Sequence, residues 1–212
     1  MARIGSSLLV AGLFFTLSGC GGGGGGKSPE DAFNNMVEAA KKEDMRAFMS
    51  NLTKDSQNMM TGGSVAALVG LKQAAAFIPG GKVDPKEIEA ILTKHGVNEG
   101  KAMESMKALG GAGKPSSADI LAAMRTLSTS VKDGPAFVDD SLKALKKIGK
   151  GGEMNPAEQL KGAKISDVKV TGEKATAKVE MAGKSENLHF AKEDGSWRID
   201  LIPLIEEKMG GK

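Results

Sequence analysis

A chain of 212 residues is long enough for one generous domain or for a small domain with a helical annex. Its 40% hydrophobic and 26% charged residues are the proportions of a soluble globular protein. A net charge of +3, 4% aromatics and no tyrosine exclude the basic, aromatic-studded stripe of a nucleic-acid binder, and a lone cysteine excludes an internal disulfide framework.

At the N-terminus, Arg3 supplies a short positive region and Leu8 to Leu17 an apolar run. That run is shorter than the roughly 20 residues a bilayer core demands, so it reads as a leader. It ends in Leu17-Ser18-Gly19-Cys20, which resembles the lipobox of bacterial lipoprotein signal peptides. The resemblance implies cleavage between Gly19 and Cys20 and a lipid-modified N-terminal Cys20. The chain is then expected in the bacterial cell envelope. Gly21 in second place implies the periplasmic face of the outer membrane, by resemblance to enterobacterial sorting. Loss of Arg3 with the leader leaves 28 basic against 26 acidic residues. Gly21 to Gly26 follow, and an uninterrupted glycine run reads as a tether without structure of its own. It is no phosphate-binding loop, because no strand precedes it and the Walker spacing is missing.

Ser28-Pro29-Glu30-Asp31 opens a first helix, with Ser28 as cap, Pro29 at the first helical position and acids at the positive end. Ala32, Phe33, Met36, Val37 and Ala40 form its apolar stripe. Asp44 caps a second helix carrying Met45, Phe48, Met49 and Leu52. Helical patterns then fill the middle of the chain. Ser64 to Ile78 is apolar nearly all round and stops at Pro79-Gly80-Gly81. Asp84-Pro85-Lys86-Glu87 has the form of a capping box before Ile88, Ile91 and Leu92, and Gly96 ends that helix. Asn98 to Leu109, a segment capped by Ser116 or Ser117, and Pro135 to Ile148 supply three more, and Asn155-Pro156-Ala157-Glu158 caps a short turn.

From Lys164 to Leu201 the period changes to two. Val168 and Val170, then Ala175, Ala177, Val179 and Met181, then Leu188 and Phe190, then Trp197, Ile199 and Leu201 alternate with polar residues. Thr171-Gly172-Glu173-Lys174, Ala182-Gly183-Lys184 and Glu193-Asp194-Gly195 provide the turns, so an antiparallel meander of about four strands is expected, apolar on one face. The fold class is α+β, a C-terminal sheet covered by N-terminal helices with a large helical insertion. The boundaries are a leader at 1–19, a lipidated cysteine and glycine tether at 20–27, and an α+β domain at 28–212. Within that domain 28–60 and 164–209 form the sheet and its cover, and 61–160 the insertion.

The segment SPEDAFNNMVEAAKKEDMRAFMSNLTKDSQ resembles the opening helices of small bacterial lipoproteins of the nuclear-transport-factor-2-like superfamily, which has a cystatin-like fold and includes the SnoaL-like domains. VKVTGEKATAKVEM and FAKEDGSWRIDL resemble that superfamily's last strands, in which a Gly-x-Trp-x-Ile strand ends the sheet. The resemblance implies a cone-shaped sheet under helices. This chain departs from it by about a hundred intervening residues where the family has a short helix and a strand or two. The superfamily's enzymes place an acidic base with polar partners, often tyrosine, inside the cone.

Each candidate for chemistry has a plainer explanation. His95 ends a helix, where positive charge suits the terminal carbonyls. His189 falls on the polar side of a strand beside Asn187, without the further ligands a metal needs. Met36, Met45, Met49, Met103, Met106 and Met124 lie on apolar helix faces, where they fill a core short of aromatics better than they bind copper(I); a methionine-lined adaptable pocket is the milder option. The adjacent pairs Asp139-Asp140, Glu193-Asp194 and Glu206-Glu207 point apart and read as solvated faces and turns. No cofactor or metal is expected. The expectation is a membrane-anchored, non-catalytic envelope protein that binds a small apolar ligand, a peptide or a protein partner. A tethered SnoaL-like isomerase or cyclase and a purely structural envelope role are the alternatives.

Overall fold

A computed structural model describes residues 24–75, 84–109, 115–147, 156–181 and 183–210. Gly19, Cys20, the leader, Pro79-Gly80-Gly81 and Asn155 lie outside the described residues.

The chain folds as α+β, with helices first and a four-stranded antiparallel meander last. Strands β1 (Lys164–Thr171), β2 (Lys174–Met181), β3 (Lys184–Glu193) and β4 (Ser196–Asp200) lie in sequence order. Two-residue turns join β1 to β2 and β3 to β4. Asp194 and Gly195 both hold positive φ, 51° and 79°, which a right-twisted hairpin between β3 and β4 requires.

Helices α1 (Pro29–Lys41) and α2 (Met45–Ser50) cover the apolar face. Their caps form as the residues dictate: Ser28 Oγ accepts from the Asp31 amide at 3.1 Å and Asp44 Oδ1 from the Ala47 amide at 2.9 Å. Phe33, Met36 and Val37 of α1, Phe48 and Met49 of α2, and Leu52 pack on Ala175, Ala177, Val179, Phe190, Trp197 and Ile199. This is the first core.

A second core lies among helices α3 (Lys54–Ala75), α4 (Pro85–Lys94), α5 (Glu99–Leu109), α6 (Ser117–Thr129) and α7 (Gly134–Lys147). Val65, Leu68 and Val69 of α3 meet Leu92 of α4, Ala102 of α5, Leu127 of α6 and Phe137 of α7 there. Phe137 and Val138 are neighbours on α7 yet belong to different cores, so α7 is the seam between them. A short turn, α8 (Pro156–Gln159), leads into the sheet and buries Leu160 beneath it.

Five features differ from the expectation. First, α3 begins at Lys54, ten residues before Ser64, and crosses position 61, where the insertion was expected to begin. Gly62 and Gly63 do not break it. A methyl on Gly62 would lie 2.1 Å from the Met124 carbonyl oxygen, so that glycine is where α3 and α6 approach backbone to backbone. Only one face of α3 is buried; Ala67 and Ala74 are exposed. Second, Asp84 caps α4 through the Lys86 amide, while Glu87 pairs with Lys147 of α7 rather than closing a capping box.

Third, the alternation in β1 is interrupted. Ser166 pairs with Lys178 and Lys169 with Thr176, so two residues oppose one, and Asp167 takes φ 51° in this bulge. Ile165 and Val168 still face the core, but Val170 is 55% exposed at the uncovered end of the edge strand. Fourth, a last helix, α9 (Ile202–Gly210), follows β4 and packs beside β3 and α6, with Lys208 reaching Glu186 of β3 at 3.2 Å. Fifth, the expectation of a structureless run does not extend to Gly24–Gly26. Gly26 exchanges two backbone hydrogen bonds with Trp197, both 2.9 Å, and extends the sheet beyond β4.

Candidate functional site

A cavity lies where α1 turns into α2 and faces α7 and α8. Its floor is apolar: Ala39 and Ala40 from α1, Met45 and Phe48 from α2, Leu142 from α7 and Pro156 from α8. Helical spacing explains the set, since Met45 and Phe48 are three apart on α2 and so share a face. The volume is about 160 Å³. A shallower depression of about 240 Å³ shares Glu43, Asp44, Met45 and Asp139 with it and runs on past Arg46, Pro135 and Ala136. Together they form a groove between α2 and α7.

The rim is charged and internally paired. Lys146 Nζ reaches Glu43 Oε1 across the groove at 3.0 Å, and Lys143 Nζ reaches Asp139 Oδ2 along α7 at 2.7 Å. Arg46 of α2 pairs with Asp133, which also caps α7 by accepting from the Ala136 amide at 3.2 Å. The Arg46 guanidinium, ahead of that amide, holds the Asp133 carboxyl below the usual carboxylate range. Surface pairs of this kind contribute little stability and are readily exchanged for a ligand's charges.

Behind α7 lies a second polar cluster that does not line the groove. His95 is the C-cap residue of α4 and is buried at 5% exposure. Its Nε2 lies 2.8 Å from Asp140 Oδ2 and donates to it, and Lys94 Nζ donates to the same oxygen at 2.7 Å. The His95 ring stands edge-on to Phe137 at 5.3 Å between centroids. The imidazole hydrogen bond, then the lysine's, hold the Asp140 carboxyl below its ordinary range. The side chain of His95 therefore serves a helix-to-helix clamp rather than the carbonyls at the end of α4. Asp139 and Asp140 do point apart as expected, but Asp140 turns inward to His95 rather than into solvent. The signal available was the 3–4 spacing of Phe137, Asp140 and Ser141 on one side of α7.

His189 is half-buried rather than solvated, because α9 covers it; its Nε2 lies 3.6 Å from Glu207 Oε1, beyond hydrogen-bond reach. Glu193 of the last turn accepts from the Lys54 amide at the start of α3 at 3.1 Å. Met36 and Met49 are buried in the first core, and Met103, Met106 and Met124 pack half-buried against the second. Met45 lines the groove. Among the described residues no group of three or more His, Cys, Asp or Glu is placed to hold a metal ion, and no helix is long and apolar enough to cross a membrane. Cys20 and Gly19, the lipidation and cleavage candidates, are outside the described residues.

No family model, no curated protein sequence and no solved structure matches this chain.

Proposed function

We propose that this protein is a lipid-anchored, non-catalytic protein of the bacterial cell envelope that holds a peptide segment of a partner protein in the groove between α2 and α7. The size of the groove carries the choice of ligand. Its apolar part, about 160 Å³, is smaller than the roughly 300–1,000 Å³ of sites that enclose whole small molecules, and the shallower 240 Å³ beside it is open and rimmed by charge. The apolar part has room for about five water-sized groups, which suits one apolar side chain. The shallower extension past Arg46 and Pro135 makes the ligand elongated. An extended segment with one anchoring apolar side chain matches both, with the charged rim shielding the anchor from water.

The residues of the insertion have a role in this reading. One wall of the groove, α2, belongs to the part that resembles the nuclear-transport-factor-2-like superfamily, and the other, α7, belongs to the helical insertion. The groove exists only because the insertion is there. The alternative, a tethered isomerase or cyclase, calls for an open interior beneath the sheet. Phe33, Met36, Met49 and Leu52 fill that space against Ala177, Val179, Phe190 and Ile199, so packing favours binding over catalysis.

The groove is tested by placing a photo-crosslinking amino acid at Met45 in cells. A discrete protein adduct, absent when the probe sits at the exposed edge position Val170 and lost when Leu142→Phe fills the cavity, is expected. An adduct of lipid or metabolite mass, or one unaffected by Leu142→Phe, would overturn the peptide reading. The anchor is tested by Cys20→Ser, which is expected to leave an uncleaved or soluble product on fractionation. A processed variant still held in the membrane would exclude lipidation at Cys20.

A further inference from the structure

We infer that Gly24–Gly26 turn the membrane attachment into a short, directional one, holding the β4–α2 edge of the domain toward the lipid surface. The inference rests on attachment through Cys20 as proposed above, and its observations are independent of that proposal.

The strap is seated, not slack. Besides the two backbone bonds between Gly26 and Trp197, the Gly25 amide donates to Asn51 Oδ1 at 3.1 Å and Asn35 Nδ2 donates to the Gly25 carbonyl at 3.0 Å. Its composition is dictated by packing at every position. A methyl on Gly24 would lie 2.1 Å from Ser50 Oγ, and one on Gly26 would lie 2.2 Å from the Ala32 amide nitrogen. Gly25 has φ +100°, and a methyl there would lie 2.7 Å from the Trp197 carbonyl oxygen. Pliancy alone would accept serine or alanine at these positions; this seat accepts only glycine.

Length then fixes what the seat does. From Cys20 to Gly24 there are four residue steps, which span at most about 14 Å when fully extended. A domain of this size has a radius of gyration of about 16 Å. The chain from Cys20 to Gly24 can therefore reach no farther than the radius of the body it holds, and the domain has no slack to roll over. With the strap unseated, the free chain would run to Ser28 and reach about 29 Å. The seat involves β4 and the ends of α1 and α2, whereas the second core is built from α3 to α7.

Trp197, the only tryptophan, sits beside the seat and is the natural reporter. The full chain is reconstituted into phosphatidylcholine–phosphatidylglycerol vesicles carrying a dansyl-labelled phospholipid. Intact mass of the N-terminal peptide first establishes whether cells have lipidated Cys20. Where the thiol is free, it is coupled to a maleimide-headgroup phospholipid, so the leash is tested whichever way lipidation falls. Strong energy transfer from Trp197 is expected. Inserting 20 Gly-Ser residues between Gly23 and Gly24 adds an r.m.s. reach of about 25 Å and is expected to cut transfer at least about twofold. Gly25→Val, which unseats the strap, is expected to give an intermediate loss. Equal transfer in the native chain and the insertion variant would overturn the inference, and the insertion leaves the seat intact, so misfolding does not confuse the result.

Discussion

His95 and Asp140 behave as one unit, and the consequence is a pH dependence with a definite sign. The folded-state pKa of Asp140 is depressed by the His95 and Lys94 hydrogen bonds. Its ionised form therefore stabilises the fold above the ordinary carboxylate range, and that contribution is lost as pH falls through the depressed value. Asp140→Ala leaves the buried His95 nitrogen without its acceptor, and a loss of about 1–3 kcal/mol at neutral pH is expected. Urea titrations should show the gap between variant and parent narrowing in acid, once the parent's own carboxyl is protonated; a gap that stays constant with pH would assign the loss to packing alone. At this scale the sequence was legible where local rules govern. Ser28 and Asp44 cap the helices they precede, and Trp197 and Ile199 are buried on alternate positions of one strand. The partner of His95 was not legible, because it lies 45 residues away and only the packing of α7 on α4 brings it within reach.

Among elements, glycine is what local rules misjudge. Gly62 lies inside α3, and intrinsic propensity would place a boundary there, since glycine costs about 1 kcal/mol in a helix interior. The close crossing with α6 outweighs that cost, because only the missing side chain lets the Met124 backbone come so near. Gly62→Ala should therefore destabilise by about 1–3 kcal/mol by overpacking, despite raising helix propensity. Gly63→Ala, with nothing within 4 Å of its methyl, serves as the control and should be neutral or stabilising in the same melt. The meander was readable almost strand for strand, since turns and period agree throughout it. The Asp167 bulge was not, because an extra residue shifts the alternation without any change in composition. The C-terminal helix α9 and the groove were equally hidden: both depend on which surfaces meet, and apolar periodicity names a face without naming its partner.

Across the whole molecule, two cores share two helices. α3 packs Met60 toward the first core and Val65 into the second, and α7 divides Phe137 and Val138 between them. Neither core closes without those helices, so a single cooperative transition is expected. Trp197 fluorescence reports the first core and far-UV dichroism is dominated by the helices around the second; their urea unfolding curves should coincide. Separated midpoints would make the helical part an independently folding annex. The groove between α2 and α7 lies at this same seam, so a segment bound there would brace both halves.

The strap beside β4 also bears on how the protein behaves outside its cell. A preparation trimmed back to Lys27 for convenience would leave the Trp197 amide and carbonyl unmet at the rim of the sheet, and two such molecules offer each other the missing rung. Clumping of that fragment would then be a wound left by the trimming, and restoring three glycines should heal it.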